Sequence, residues 1–541
     1  MTVLNSKLLL NAAAFPWLYE QAGLSVMQSN DLAPRMPGSF YGAKENQDLA
    51  VPQLIFAENV LPIAKGLTSC NFTAISPGPG GGLTVADQGI VLRNTQEQRR
   101  LFVPADGANY VYNAETNAWA SKSPFAFSGS LVTRAYVNGR TFVCYEKTKI
   151  VEYDFAGDVL NTIALTFPVG KTIADVRGIG SAGNYLLFFT DIEVYWCSPL
   201  NILDFSDLNS GAGNQTPNAI QGQIVAILPI SKGAIIYTTK LAVSVQLTNN
   251  SQSPFVFDQI NSAGGVANWE KVAADASEGF QYAFTTAGLQ KISLGGAETI
   301  FADVTDFLVG GRFEFWDSVS QMVTSQDAGG PFIVKLTYLV NRYVIISYGM
   351  SRYEFQYALV YDTALQRWGK VKITHADVCE YPYPTTFGPV NYDQIYLPWA
   401  DYGDTTYDEF GVSTSLATPA KRGIAFMQRD GTLNLLNTDF TVSGSTSVLI
   451  LGHFQDHREY NLTITHLKLN ALKGSAVPKV LVLSSDDGHT RDTVTEMDLV
   501  KNTGQVYDFD TRVTGLNHDI VILGSFVLSS GLLNGVNHGR R

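Results

Sequence analysis

From about residue 100 the chain alternates short runs of aromatic and β-branched residues with small polar turns, and the pattern recurs. Arg100-Leu101-Phe102-Val103 turns through Ala105-Asp106-Gly107 into Tyr110-Val111-Tyr112, the signature of a β-hairpin. The same grammar returns at Thr141 to Tyr153, Tyr185 to Trp196, Ala234 to Val245, and Phe280 with its turn at Ala287-Gly288, then at Tyr343 to Ser347 and Gly423 to Asp430-Gly431. The seven hairpins start at residues 101, 141, 185, 234, 280, 343 and 423, giving steps of 40, 44, 49, 46, 63 and 80. The first four match one β-propeller blade each, at roughly 40 to 50 residues per blade, and the last two leave room for insertions.

One piece is repeated almost literally. Val111-Tyr112-Asn113 is followed six residues on by Trp119, and Val360-Tyr361-Asp362 six residues on by Trp368. An Asn or Asp that bonds its own turn backbone, followed by Trp on the next strand, would close the outer hairpin of a blade. The segment resembles the tail of a kelch repeat, without that family's paired glycines. No fifteen-residue segment carries a 3.6-residue period, so helices should be few and short.

The expected organisation is an extended N-terminal arm over residues 1–65, packing on something else, a propeller of about six to seven blades over 66–440, and a C-terminal β-region over 441–541. The last is either a separate domain or the final blade with an extension. The arm carries scattered Pro and Gly without period, and the C-terminal region alternates again at Val448 to Leu451, Leu462 to Thr465, Val480 to Leu483 and Ile520 to Leu523. The fold class expected is therefore all-β, with a propeller core.

Composition agrees with an ordered strand-rich protein: 541 residues, 45% hydrophobic, 16% charged, with 48 Gly, 30 Phe and 25 Tyr. The net charge of -12 argues against the basic footprint of a sequence-reading nucleic-acid binder. Cys70, Cys144, Cys197 and Cys379 stand far apart without a CxxC pair, as small buried residues of a protein folded in a reducing cytosol would. Lys7 followed by Leu8-Leu9-Leu10 and then Asn11 is a short run for a leader and far too short to span a bilayer, so neither export nor a membrane anchor is expected.

The chemistry offers little. Gly178-Ile179-Gly180-Ser181-Ala182-Gly183 satisfies GxGxxG but leads into an aromatic strand instead of a helix, so a loop between strands is expected. Ser76-Pro77-Gly78-Pro79-Gly80-Gly81-Gly82 lacks the Lys-Ser/Thr end of a phosphate loop and reads as a linker. His453 and His457 have metal-ligand spacing only on a helix, in a region that reads as strand. Asp401, Asp404, Asp408 and Glu409 could offer oxygens to calcium but lack the alternation and fixed glycine of a dedicated loop. No catalytic, cofactor-binding or metal residue is assigned, no cofactor is expected, and nothing pulls toward an enzyme.

Two resemblances go further. Ser484-x-Asp486-x-Gly488-x-Thr490, with Arg491 where an aromatic usually follows, resembles the Asp-box of sialidase-like propellers, which in that family is a structural turn remote from catalysis. The hairpin from Asn184 to Trp196 running into Ser198-Pro199-Leu200-Asn201-Ile202-Leu203-Asp204-Phe205 resembles the blades of tail nozzle proteins of short-tailed bacteriophages. Ile224 to Ile227, Pro254 to Phe257 and Ser262 to Gly265 extend the likeness, which covers about residues 95 to 310.

The nozzle resemblance implies a non-enzymatic virion protein, six copies of which ring the distal end of the tail. The ring would be assembled in the host bacterial cytoplasm, docked to a tail adaptor and supporting tail fibres, with phage DNA passing through without sequence-specific binding. Six copies would carry a formal charge of 6 × -12 = -72, suiting a conduit that repels phosphate. The competing readings are a carbohydrate-binding or carbohydrate-cleaving propeller, whose site would use residues 401 to 409, and a kelch-like interaction module.

Overall fold

The structure, a computed structural model, describes Thr2–Leu9 and most of residues 53–537. Residues 10–52, 80–87, 123–131, 383–421, 438–446, 456–460, 472–476, 486–492 and 538–541, with some shorter stretches, lie outside the description. The fold is all-β around a propeller, with one α-helix, Ala302–Gly310, among the described residues.

Seven antiparallel four-stranded units follow one another. They span residues 90–122, 132–163, 178–215, 224–259, 272–299 and 333–375, and a seventh takes three strands from 377–437. Each of the seven sequence hairpins is the middle pair of one unit, so the repeat seen in the sequence is the blade repeat. From the second unit round to the first, the first strands of successive units are neighbours, the last (Asp377–Pro382) returning to Ile90–Arg93, which meets the second unit at Arg140–Tyr145 and so closes the ring. These are seven propeller blades. The steps of 63 and 80 have different causes: the helix and the hairpin Arg312–Asp317/Met322–Asp327 are inserted between blades five and six, and residues 383–421 lie between the first two strands of blade seven.

Burial explains the sequence pattern. A middle strand is covered by the neighbouring blade on each face, so Gly233–Thr238 is buried at every position, whereas the outermost strand Val159–Ile163 is mostly exposed. Seven apolar clusters fill the seven clefts between blades. Phe102 and Val111 meet Tyr145 and Val151 between blades one and two, and Tyr112 meets Met427 and Leu433 between seven and one. Tight turns hold the hairpins in register, as at Asn138-Gly139, where both residues have positive φ (50° and 76°) and make the two-residue turn that suits strand twist.

The repeated Tyr-Asx…Trp segment is a true structural repeat. Tyr112 pairs with Trp119 and Tyr361 with Trp368 across the third and fourth strands of blades one and six. Their rings lie 5.1 and 4.8 Å apart. Four positions after the Asx, Asn117 (φ 50°) and Gln366 (φ 54°) are both left-handed. In blade six Asp362 Oδ1 accepts the N–H groups of Ala364 and Leu365, as an Asx turn requires.

Residues before the first blade are distributed among three sheets. Asn71–Ser76 is the outermost strand of blade seven, pairing with Leu433–Asn437 and closing the ring between distant parts of the chain. Within the segment read as an arm, Gln53–Glu58 pairs with Val448–Gln455 and Thr2–Leu9 with Val527–Asn537. Those partners belong to a β-sandwich beside blade six. One of its layers is the sheet ordered Gln53–Glu58, Val448–Gln455, Asn517–Leu523, Lys479–Ser485, Thr493–Glu496.

The other sandwich layer continues blade six. From Arg367–His375 the hydrogen-bonded order runs through Val60–Ile63 and Gly66–Ser69 to Val527–Asn537, Leu462–Ala471, Val506–Gly515 and Asp498–Asn502, an 11-stranded sheet in all. One apolar cluster runs from Tyr282 and Leu336 in blades five and six to Leu462, Ile520 and Leu533 in the sandwich. The sandwich is therefore joined to the propeller by both a sheet and a core.

Candidate functional site

Among the described residues the densest buried chemistry is ionic and lies where the ring closes. Lys335, on the first strand of blade six, places Nζ 2.8 Å from Asp377 Oδ1 on the first strand of blade seven. Asp377 Oδ2 accepts the N–H of Gly89, just before blade one, at 2.6 Å. The Lys335 ammonium also lies 5.6 Å from the ring centre of Trp269, just before blade five. One buried pair thus links four consecutive blades.

Farther along the same strand Glu380 receives Arg99, a buried partner from blade one, and Arg93 at 3.3 Å. Arg93 extends the connection, its N–H donating to Thr141 Oγ1 of blade two and its C=O accepting the Thr141 hydroxyl. Burying these charges is costly unless each is paired, and here each carboxylate meets more than one donor.

A second ionic cluster sits where blade six meets the sandwich. Lys370 is fully buried, donates to the Glu314 backbone C=O at 2.8 Å and lies 4.8 Å and 5.1 Å from the rings of Phe56 and Tyr357. Burial pulls its ammonium below the usual lysine range, opposed by the charges of Glu58 and Glu314. Lys372 reaches Glu58 at 3.3 Å and donates its backbone N–H to Asn59 Oδ1 at 2.8 Å. Glu58 and Asn59 precede the blade by some 300 residues, so this cluster fixes the N-terminal segment against blade six.

Two Ser–His pairs look like fragments of a nucleophilic site and are not arranged as one. His375 Nε2 faces Ser347 Oγ at 2.8 Å, and Nδ1 faces the Ile373 carbonyl at 2.7 Å. A carbonyl can only accept, so Nδ1 carries the proton and Nε2 accepts from the serine. His518 repeats this with Leu462 O at 2.8 Å and Ser484 at 2.7 Å. Both imidazoles are buried, and neither is oriented by a carboxylate in these bonds. Burial lowers His375 to about 4. The four cysteines are likewise buried; burial raises the Cys70, Cys144 and Cys379 thiols and pushes Cys197 up to about 11, so thiolate chemistry is suppressed at neutral pH.

The segments singled out in the sequence fall as follows. Gly178 to Ala182 is the first strand of blade three, a correction to the loop expected there. Its glycines are packing requirements: a Cβ on Gly180 would stand 2.6 Å from Ile227 O of blade four, and one on Gly178 2.6 Å from the Phe189 ring. Ser198 to Phe205 is a compact loop in which Ser198 N–H donates to Asp204 O at 2.8 Å and Phe205 buries its ring against Phe188, while Leu200 is 87% exposed. Ser484 is the penultimate residue of the strand Lys479–Ser485, and Asp486 to Arg491 lie outside the described residues. His453 is on the strand Val448–Gln455, while His457 and the acidic positions Asp401, Asp404, Asp408 and Glu409 lie outside the described residues. Lys335, Asp377, Glu380, Glu58 and Lys370 were not legible as a set, because no spacing along the chain brings them together.

Comparison with known proteins gives no family model and no curated protein that matches. Among solved structures, a chain of the "Crystal Structure of Mitotic Checkpoint Complex" is 10% identical at a TM-score of 0.33, covering 68% of this chain and 90% of its own. "YCF48 bound to D1 peptide" is 13% identical at a TM-score of 0.33, covering 72% of this chain and 100% of that one. Similarity at that level does not bear on function, and the propeller rests on the strand order and ring closure above.

Proposed function

We propose that this chain is a structural subunit of the tail nozzle of a short-tailed bacteriophage, working by shape and rigidity and not by catalysis. The observation that carries the reading is the fusion of a seven-bladed propeller to a β-sandwich through one continuous sheet and one shared core. A wall subunit of a DNA conduit has to keep its shape while cargo passes. A hinged pair of domains is the usual arrangement in two-domain chains, and this junction is built against it. The loop style of blade three, carried by Ser198 to Phe205, supports the same family resemblance.

In this reading six copies ring the tail axis, one end docking to an adaptor and exposed loops such as that bearing Leu200 meeting fibres. The acidic balance of the chain suits a bore that releases its cargo, because phosphate-neutralising lysines and arginines would hold DNA with steep salt dependence.

Fractionation of phage particles followed by immunogold labelling with an antibody to this chain tests the proposal. Label confined to the tail tip supports it; absence from virions sinks it. Salt-sensitive retention of duplex DNA by the purified chain would remove the repulsive-bore argument.

A further inference from the structure

Exposed apolar side chains gather on one rim of blade six. Among the described residues sixteen large hydrophobics are exposed, and four of them stand here: Val309 at 53%, Ile333 at 39%, Met350 at 44% and Tyr353 at 38%. Hydrogen bonds bring the four together. The Phe332 N–H donates to the Leu308 C=O at 3.0 Å, which sets Val309 beside the start of the first strand of blade six. Ile333 on that strand pairs with Gly349, the neighbour of Met350, and Tyr353 lies in the turn that follows, closed by a bridge between Ser351 and Glu354. Single exposed apolar residues are ordinary on a protein surface, whereas a cluster of them rimmed by charge marks an interaction site.

We propose that this rim docks a protein segment that presents a large apolar side chain between lysines or arginines. Three features favour that occupant. The first is a rigid floor. The buried ring of Phe332 lies 5.7 Å from that of Phe307 and 5.1 Å from that of Tyr348, both buried as well. The helix Ala302–Gly310, the first strand of blade six and the turn after its second strand are thus packed on one another and hold their exposed side chains in place. A surface already ordered loses little entropy on binding.

The second feature is charge. Asp306 stands one helical turn before Val309, and Glu354 follows Tyr353. Asp327 is held near the helix end because the next residue, Ala328, donates its N–H to the Gly311 C=O at 2.8 Å. All three carboxylates are exposed. The exposed cation beside them is Arg312, opposite Asp327 on the inserted hairpin. Arg352 is held by Glu270 at 3.0 Å, and Lys271 is half-buried over the Phe284 ring. That balance attracts basic residues on either side of a docked side chain and repels nucleic acid and anionic bilayers. The third feature is composition: interface centres favour methionine, tyrosine and arginine, and here the Arg352 guanidinium lies 5.8 Å from the centre of the Tyr353 ring.

The test uses the full chain and a displayed library of random dodecapeptides, selected on the wild type after depletion on a variant carrying Val309→Ser with Met350→Ser. Enriched peptides should carry a large apolar residue with lysine or arginine close on both sides. Fluorescence anisotropy of such a peptide should show binding about tenfold weaker to Asp306→Lys with Glu354→Lys, because reversed rim charges repel it. Asp306→Asn with Glu354→Gln repeats the charge arm without adding cations, and Leu200→Ser, on the loop of blade three, should leave binding unchanged. The substituted side chains are exposed, and thermal unfolding midpoints equal to the wild type verify that each variant folds.

Enrichment of peptides without basic residues, or affinity that ignores the rim charges, overturns the inference. So does a library that yields no peptide dependent on Val309 and Met350. Sedimentation that shows the wild type pairing with itself, and losing the pairing on Val309→Ser with Met350→Ser, would assign the rim to a second copy and overturn it as well. The inference goes beyond the nozzle reading, and none of these outcomes depends on the presence of the chain in a virion, so the two proposals fail separately.

Discussion

Lys335 and Asp377 form an ion pair 2.8 Å long between the first strands of blades six and seven, with each side chain only 5% exposed. A pair so buried adds little net stability over an apolar replacement, but removing one partner strands the other charge. Asp377→Ala should cost about 3–5 kcal/mol by that argument, while the double change Lys335→Met with Asp377→Asn, which keeps an acceptor for the Gly89 N–H, should cost clearly less. Urea unfolding of the three proteins checks it. An equal loss in the single and double variants would show that the pair's charge is not what matters.

His375 gives the protein an acid limit. Its folded-state value of about 4 lies below the ordinary 6.5, chiefly because burial penalises the imidazolium, with the nearby Lys335 charge acting in the same direction. The neutral ring therefore contributes its full stability above pH 6.5, and the contribution is lost as pH falls from 6.5 toward 4. The loss is on the order of 3 kcal/mol when complete. Unfolding midpoints at pH 7 and pH 4.5 should differ more in the wild type than in His375→Gln.

Close approach at the centre of the propeller is testable at two glycines. Gly180→Ala would press its methyl on Ile227 O, whereas a methyl at Gly296 meets nothing within 4 Å. The first should cost about 1–3 kcal/mol and the second stay within about 0.5. Comparable thermal shifts in both would refute the packing account of the blade-three glycines.

Ring closure should be the weak seam of the propeller. Phe72, on the strand that completes blade seven from before blade one, meets Phe426 edge to face at 5.3 Å. Truncating a partly buried phenylalanine here, Phe72→Ala, should cost about 2–3 kcal/mol, near the lower end for such changes. It should also open blade seven to limited proteolysis before any other blade. Cleavage that begins in blades two to five would argue against closure by this strand.

What the sequence determined by itself is the repeating unit. Each hairpin was legible because its alternation, turn residues and strand lengths are set by neighbours within about fifteen residues, and a blade's middle strands must be apolar on both faces wherever they sit. The Tyr-Asx…Trp repeat was legible for the same reason, since Asp362 acts on the turn next to it.

Tertiary structure alone decided which strands meet across the chain. Asn71–Ser76 closes blade seven against Leu433–Asn437, Thr2–Leu9 completes a sheet with Val527–Asn537, and Lys372 finds Glu58 from 314 positions away. The segment before the first blade, the read arm included, has no period of its own, because its described strands lie in three different sheets. A strand's pattern states which of its faces is apolar but not which neighbour will take its hydrogen-bonding edge. Backbone N–H and C=O groups are the same in every residue but proline, so edges carry no local label, and the pairing is selected by the packing of the whole.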